Sequence, residues 1–170
     1  MNRTFDGVLY TKDTAEYRLA KFRSEFEQHF EKDAVLFYYL FTELFLMVDS
    51  RAKNMFPTFM AGSKWFSLPY DFDTAIGINN EGALVFSYDL EDIDHTVSGA
   101  DIYNGQQSVL WVNVRAVFFE ELKEMYQKLR SKGTLSFAAT ERRFAEHQAK
   151  WPEAVFNEDA YFKYLQPLIE

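Results

Sequence analysis

Asp49 and Asn54 stand five positions apart in "VDSRAKN", and Asp71 and Asp73 follow in "PYDFDTAIG". Carboxylates and a carboxamide in this order suit phosphoryl transfer. One carboxylate must take the proton of an acceptor hydroxyl, in line with the phosphate. Oxygen ligands from a separate loop must meet on a hard divalent cation. Arg51 and Lys53 lie inside the first loop and are candidates to contact phosphate, or to pair with nearby carboxylates. Each part also has a plain structural reading. Asp49 and Asn54 can be a helix-end turn, and Asp71 and Asp73 solvated carboxylates at a strand end. An Asp at the negative end of a helix dipole is mildly unfavourable, which tilts Asp49 toward function. A nucleotidyl- or glycosyltransferase built on Asp71-Phe72-Asp73 leaves Asp49 and Asn54 unexplained.

Other groups offer less. There are no cysteines, so thiolate catalysis, disulfides and zinc fingers are excluded. His29, His95 and His147 are too scattered to form a metal site. "YDLEDID" at 88–94 lacks the glycine and ligand order of an EF-hand loop and reads as a solvated acidic stretch. The formal net charge of −8 argues against broad nucleic-acid binding.

The elements that must hold the loop are mostly helices. Thr14 is placed to cap an amphipathic helix over 14–31, with Leu19, Phe22, Phe26 and Phe30 along one face. Asp33 is placed to cap a second helix over 34–48, apolar nearly all round and so expected to be central and buried. Glu43 is its exception and must meet a cation or reach the surface. That run is also the one membrane candidate, and it is short of the roughly 20 residues a crossing needs. "MFPTF" and "KWFSLPY" predict a β-hairpin, with Pro57 and Pro69 at edge positions. "ALVFSY" predicts a further short strand after a turn at 80–82, and 89–105 a long loop. Helices follow at 106–131, stopped by Gly133, and at 138–149, with a last one capped by Asn157. "NGQQS" at 104–108 reads as a turn and cap. No apolar signal segment opens the chain. The length of 170 residues suits a single domain, and the ending on Leu168, Ile169 and Glu170 suggests a piece of a larger protein. The expected fold is α+β, mostly helical, with a buried central helix and one or two small hairpins.

Helix, Asp-x-x-x-x-Asn loop, hairpin, then Asp is the order of the protein-kinase catalytic region. From about Asp33 to Glu91 the chain resembles the spore-coat protein H (CotH) kinase-like family. The stretches that carry the resemblance are "FTELFLMVDSRAKNMF" and "KWFSLPYDFDTAIG". "DSRAKN…YDFDTAIGINNEG" also looks like kinase-like regions of tailed-bacteriophage structural proteins. The resemblance implies a kinase-like C-lobe. It implies transfer of phosphate from ATP to protein Ser or Thr, with Mg²⁺ or Mn²⁺. Asp49 would be the catalytic residue, Asn54 a metal ligand, and Asp71 or Asp73 the main metal ligand. A regular strand would point the last two to one side. The chain departs from the pattern before Asp49, where the sequence shows no Gly-rich phosphate loop and no strand lysine. This predicts that the 170 residues alone do not transfer phosphate and that activity belongs to an intact parent. The competing expectation is an inactive structural or interaction module of a virion or coat assembly. Its partners would be the rest of the parent or virion subunits, in the virion or host cytoplasm, with no membrane.

Overall fold

A computed structural model of the chain describes residues 2–47, 49–72, 74–77 and 108–151. Within them the fold is α+β and mostly helical, with four helices and two antiparallel two-stranded sheets. The described residues fall into two compact units, one up to Met125 and one from Tyr126 onward. Asp73, His95, the "ALVFSY" strand, the 89–105 loop, the acidic stretch at 88–94, all of "NGQQS" except Ser108, and the Asn157-capped helix lie outside the described residues.

The first unit opens with a hairpin that the sequence reading missed, β1 (Arg3–Phe5) and β2 (Val8–Tyr10). Its turn is Asp6-Gly7, both at positive φ, the pairing that a two-residue hairpin loop favours. Helix α1 (Ala15–His29) starts as expected: the Thr14 hydroxyl accepts the Tyr17 N–H at 3.1 Å. Helix α2 covers Lys32–Leu44. Its N-cap is Glu31 rather than Asp33, because the helical bonds begin there, with Val35 N–H on the Glu31 carbonyl at 3.0 Å. Asp33 falls in the first turn, where its charge suits the dipole.

α2 stops four residues before the expected end. Leu46 takes a left-handed φ of 44°. The Met47 N–H then reaches the Thr42 carbonyl at 3.0 Å and the Leu46 N–H the Glu43 carbonyl at 3.2 Å. This is a Schellman closure with leucine where glycine is usual. The helix is buried along one broad face, at Val35, Leu36, Tyr38, Tyr39, Leu40 and Thr42, while Phe37 on the other side is 49% exposed. It is central without being buried on every side.

Strands β3 (Met55–Thr58) and β4 (Phe66–Pro69) form the expected hairpin, with Met55 opposite Pro69 and Thr58 opposite Phe66. A parallel bridge between Phe30 and Trp65 fixes it to the α1–α2 junction. Helix α3 (Val109–Ser131) is interrupted at Phe118, whose φ and ψ are non-helical. Trp111, Val114 and Phe118 close the core of this unit. Phe118 meets Phe26 with ring centroids 4.9 Å apart, and Trp111 stacks on Tyr38 at 5.9 Å.

The second unit takes the end of α3 and helix α4 (Phe137–Gln148). Gly133, at φ 72°, closes α3 as expected, with Thr134 N–H on the Leu129 carbonyl at 3.0 Å. Ser136 caps α4 through the Ala139 N–H at 3.1 Å. No helix among the described residues is long and apolar enough to cross a membrane.

Candidate functional site around Asp49

The loop after α2 winds around one carbonyl. Asp49 O accepts the N–H groups of Ala52, Lys53 and Asn54 at 3.0–3.2 Å. This turns Asn54 back onto Asp49, and its Nδ2 donates to Asp49 Oδ1 at 3.0 Å. The same nitrogen donates to the backbone carbonyl of Asp71 at 3.2 Å, and Tyr70 N–H returns a bond to Asn54 O at 3.3 Å. Asn54 therefore links the Asp49 carboxylate to the backbone of Asp71. With its nitrogen committed to two protein acceptors, Asn54 keeps Oδ1 as the atom chemically able to bind a cation.

A residue absent from the sequence expectation completes the contacts of Asp49. Thr74 is buried, and its hydroxyl donates to Asp49 Oδ1 at 2.8 Å. Thr74 is carried there by a segment joined to the end of α2. Ile76 N–H bonds Phe45 O at 2.6 Å and Gly77 N–H bonds Leu46 O at 2.9 Å. Oδ1 thus holds two donors. Oδ2 faces Lys53 Nζ at 3.6 Å, and the Lys53 side chain is 60% exposed. Asp49 itself is 4% exposed, so it is a buried carboxylate held by hydrogen bonds rather than an open one.

Arg51 takes the second of the two roles open to it, the ion pair with a nearby carboxylate. It is 2% exposed and lies under the loop. Its guanidinium binds Glu43 Oε1, the Thr42 hydroxyl at 2.9 Å and the Tyr39 carbonyl at 3.4 Å, and sits 4.5 Å over the Tyr39 ring. It forms a strut between the loop and α2. Glu43, whose side chain is 25% exposed, meets the cation it required. The underside is held further by Tyr38 OH on Ser50 O at 2.5 Å and Trp111 Nε1 on Arg51 O at 2.8 Å. Burial pushes the Tyr38 phenol up to about 12; the Asp49 charge pushes the same way and Arg51 against it. Burial also raises Tyr39, with Glu43 adding to it.

Asp71 lies beyond β4, exposed, at φ 53°, so strand alternation does not set its direction. Leu46, Asp71 and Ile76, three non-glycine residues at positive φ, flank the Asp49 loop. Ile76 is β-branched, for which this region is costly, and such outliers gather where a surrounding structure over-determines the backbone. Among the described residues no three His, Cys, Asp or Glu side chains converge as a metal cluster. The contact between Asn54 and Asp71 runs through the Asp71 backbone carbonyl. By chemistry, the Asn54 amide oxygen and the exposed Asp71 carboxylate are of the donor type that Mg²⁺ takes, one or two carboxylates with phosphate and water filling the octahedron. Searches among protein-family models, curated proteins and solved structures find no match to this chain.

Proposed function

We propose that the chain carries the catalytic loop and metal-binding segment of a CotH-type kinase-like domain. In the intact parent, which in this reading is a tailed-phage structural protein, it serves Mg-ATP-dependent phosphoryl transfer to protein Ser or Thr. The observation that carries the reading is the Asn54 amide, bonded at once to the Asp49 carboxylate and to the backbone of Asp71. That contact brings a candidate base and a candidate metal-binding segment to one place. Bound Mg-ATP supplies the transferable phosphoryl group and neutralises its charge. Asp49 Oδ2 would take the proton of the acceptor hydroxyl as the hydroxyl oxygen bonds the γ-phosphorus and the bond to the β-phosphate oxygen breaks, releasing ADP; Lys53 would offer the loop's exposed cation to phosphate, and Asn54 with Asp71 would hold the metal. The buried underside keeps these groups in place, since positioning supplies most of the rate in this chemistry.

The test is transfer of γ-labelled phosphate by the parent protein, with this chain alone in parallel. Asp49→Asn is the informative variant: it keeps an oxygen acceptor for Thr74 and Asn54 and removes the base. The parent should label protein Ser or Thr, Asp49→Asn should reduce this about 10²–10⁴-fold, and the chain alone should be silent. A parent that does not label, or an Asp49→Asn parent that labels at the wild-type rate, rejects the reading.

A second reading is an inactive interaction module. It is favoured by the hairpin surface, where Phe56, Phe59, Met60, Trp65, Leu68 and Tyr70 are all substantially exposed. In that case Asp49→Asn leaves every function of the parent unchanged, while charged substitutions at Phe56 and Tyr70 impair its assembly.

A further inference from the structure

We propose that Thr74 is a positioning residue that fixes the plane of the Asp49 carboxylate, so that the oxygen turned away from Thr74 acts as the base; this rests on the phosphoryl-transfer reading above. A carboxylate has two nearly equivalent oxygens, and rotation about its Cβ–Cγ bond exchanges them. A half-turn restores the same arrangement with the labels swapped, so what the contacts fix is the plane of the group. Oδ1 accepts the Thr74 hydroxyl at 2.8 Å and the Asn54 amide at 3.0 Å, both from buried side chains. Rotating the carboxylate partway out of this plane would leave two buried donors poorly matched, which costs more than an exposed contact would recover. Oδ2 is left toward Lys53, the exposed side of the loop.

Asn54 and Thr74 differ in what they connect. Asn54 is in the same loop as Asp49, so its bond is local. Thr74 lies 25 residues on and follows the Asp71 segment directly. Its bond joins the base to the segment that carries Asp71, the carboxylate assigned above to the metal. The same segment is tied to the end of α2 through Ile76 and Gly77, with Ile76 in a strained conformation. A threonine hydroxyl suits this task. It donates one bond, carries no charge that would compete with the metal, and its β-branch limits its rotamers.

The test is steady-state phosphoryl transfer by the parent protein carrying Thr74→Val and Thr74→Ser. Valine keeps the shape and removes the hydroxyl; serine keeps the hydroxyl. Thr74→Val should lower kcat about tenfold or more, with KM for nucleotide and acceptor within about threefold, the pattern of a contact felt in the transition state. Thr74→Ser should return kcat to within about threefold of wild type. Melting temperatures identify a valine variant that fails to fold; Thr74→Ala, which adds no methyl beside Asp49, then reads the same quantity. A folded Thr74→Val or Thr74→Ala enzyme with kcat within twofold of wild type overturns the proposal. So does a serine variant as slow as valine, which assigns the effect to the methyl group. A wild-type parent with no transfer sinks the underlying reading and this proposal with it. An active parent indifferent to Thr74 sinks this proposal alone.

Discussion

Replacing Arg51 by methionine separates the two roles open to this residue. As a phosphate contact on the open side of the loop, Arg51 would contribute little to folding, within about 0.5 kcal/mol. As the strut observed, it contributes much more. Arg51 is 2% exposed, and its guanidinium holds Glu43, the Thr42 hydroxyl and the Tyr39 carbonyl while covering the Tyr39 ring. Removing one partner of a fully buried ion pair costs about 3–5 kcal/mol. Glu43 retains 25% exposure and can recover some hydration, and the Thr42 hydroxyl still reaches the Tyr38 and Tyr39 carbonyls. Methionine also fills much of the vacated volume. The expected cost is therefore about 2–4 kcal/mol. Urea unfolding of wild type, Arg51→Met, Glu43→Gln and the double variant gives the cycle, and the coupling should be about 1–3 kcal/mol. An Arg51→Met protein as stable as wild type refutes the strut and returns Arg51 to the phosphate.

Tyr38→Phe should reverse its effect with pH. Below pH 10 wild type should be the more stable by about 1 kcal/mol, through the bond to Ser50 O. The folded-state pKa of Tyr38 is raised to about 12 from 10.0, so its contribution is complete below pH 10 and lost as pH climbs through 12. That loss is about 3 kcal/mol, enough for the Phe variant to overtake. A stability difference flat between pH 9 and 12 contradicts the burial argument, and since Tyr39 is common to both proteins its own shift cancels. Leu36→Ala, at a residue 1% exposed, should cost about 2–5 kcal/mol. Phe37→Ala, at 49% exposed, should cost about 1 kcal/mol, and equal melting temperatures for the two would disprove the one-sided burial of α2.

Two helix ends show what a sequence carries and what it hides. Both α2 and α3 close through the same pair of backbone bonds. At Gly133 the left-handed residue is the one for which that conformation costs nothing, so the stop is readable. At Leu46 the same conformation is imposed on a residue that disfavours it, and local chemistry points instead to continuation through Val48. The tie from Ile76 and Gly77 to the Phe45 and Leu46 carbonyls holds this turn from outside. The Asp6-Gly7 hairpin is the opposite case. Its turn residues were legible, but three-residue strands leave too little alternation to register as strands.

The site divides along the same line. Asn54 was legible because its bond to Asp49 spans five residues of one turn. Thr74, Tyr38 and Trp111 were not, because their bonds reach 25, 12 and 60 residues along the chain and depend on how α2 and α3 are rotated. The loop's two cations make the point most directly. Arg51 and Lys53 are alike in charge and two positions apart, and nothing local distinguishes them. The turn wound on the Asp49 carbonyl faces Asp49, Ser50, Arg51 and Asn54 inward and Ala52 and Lys53 outward. Arginine is the cation that can live inside, since its planar fork meets several acceptors at once while lysine remains a strongly hydrated point charge. The assignment of strut and exposed cation follows from residue chemistry only after the turn has decided which position is buried.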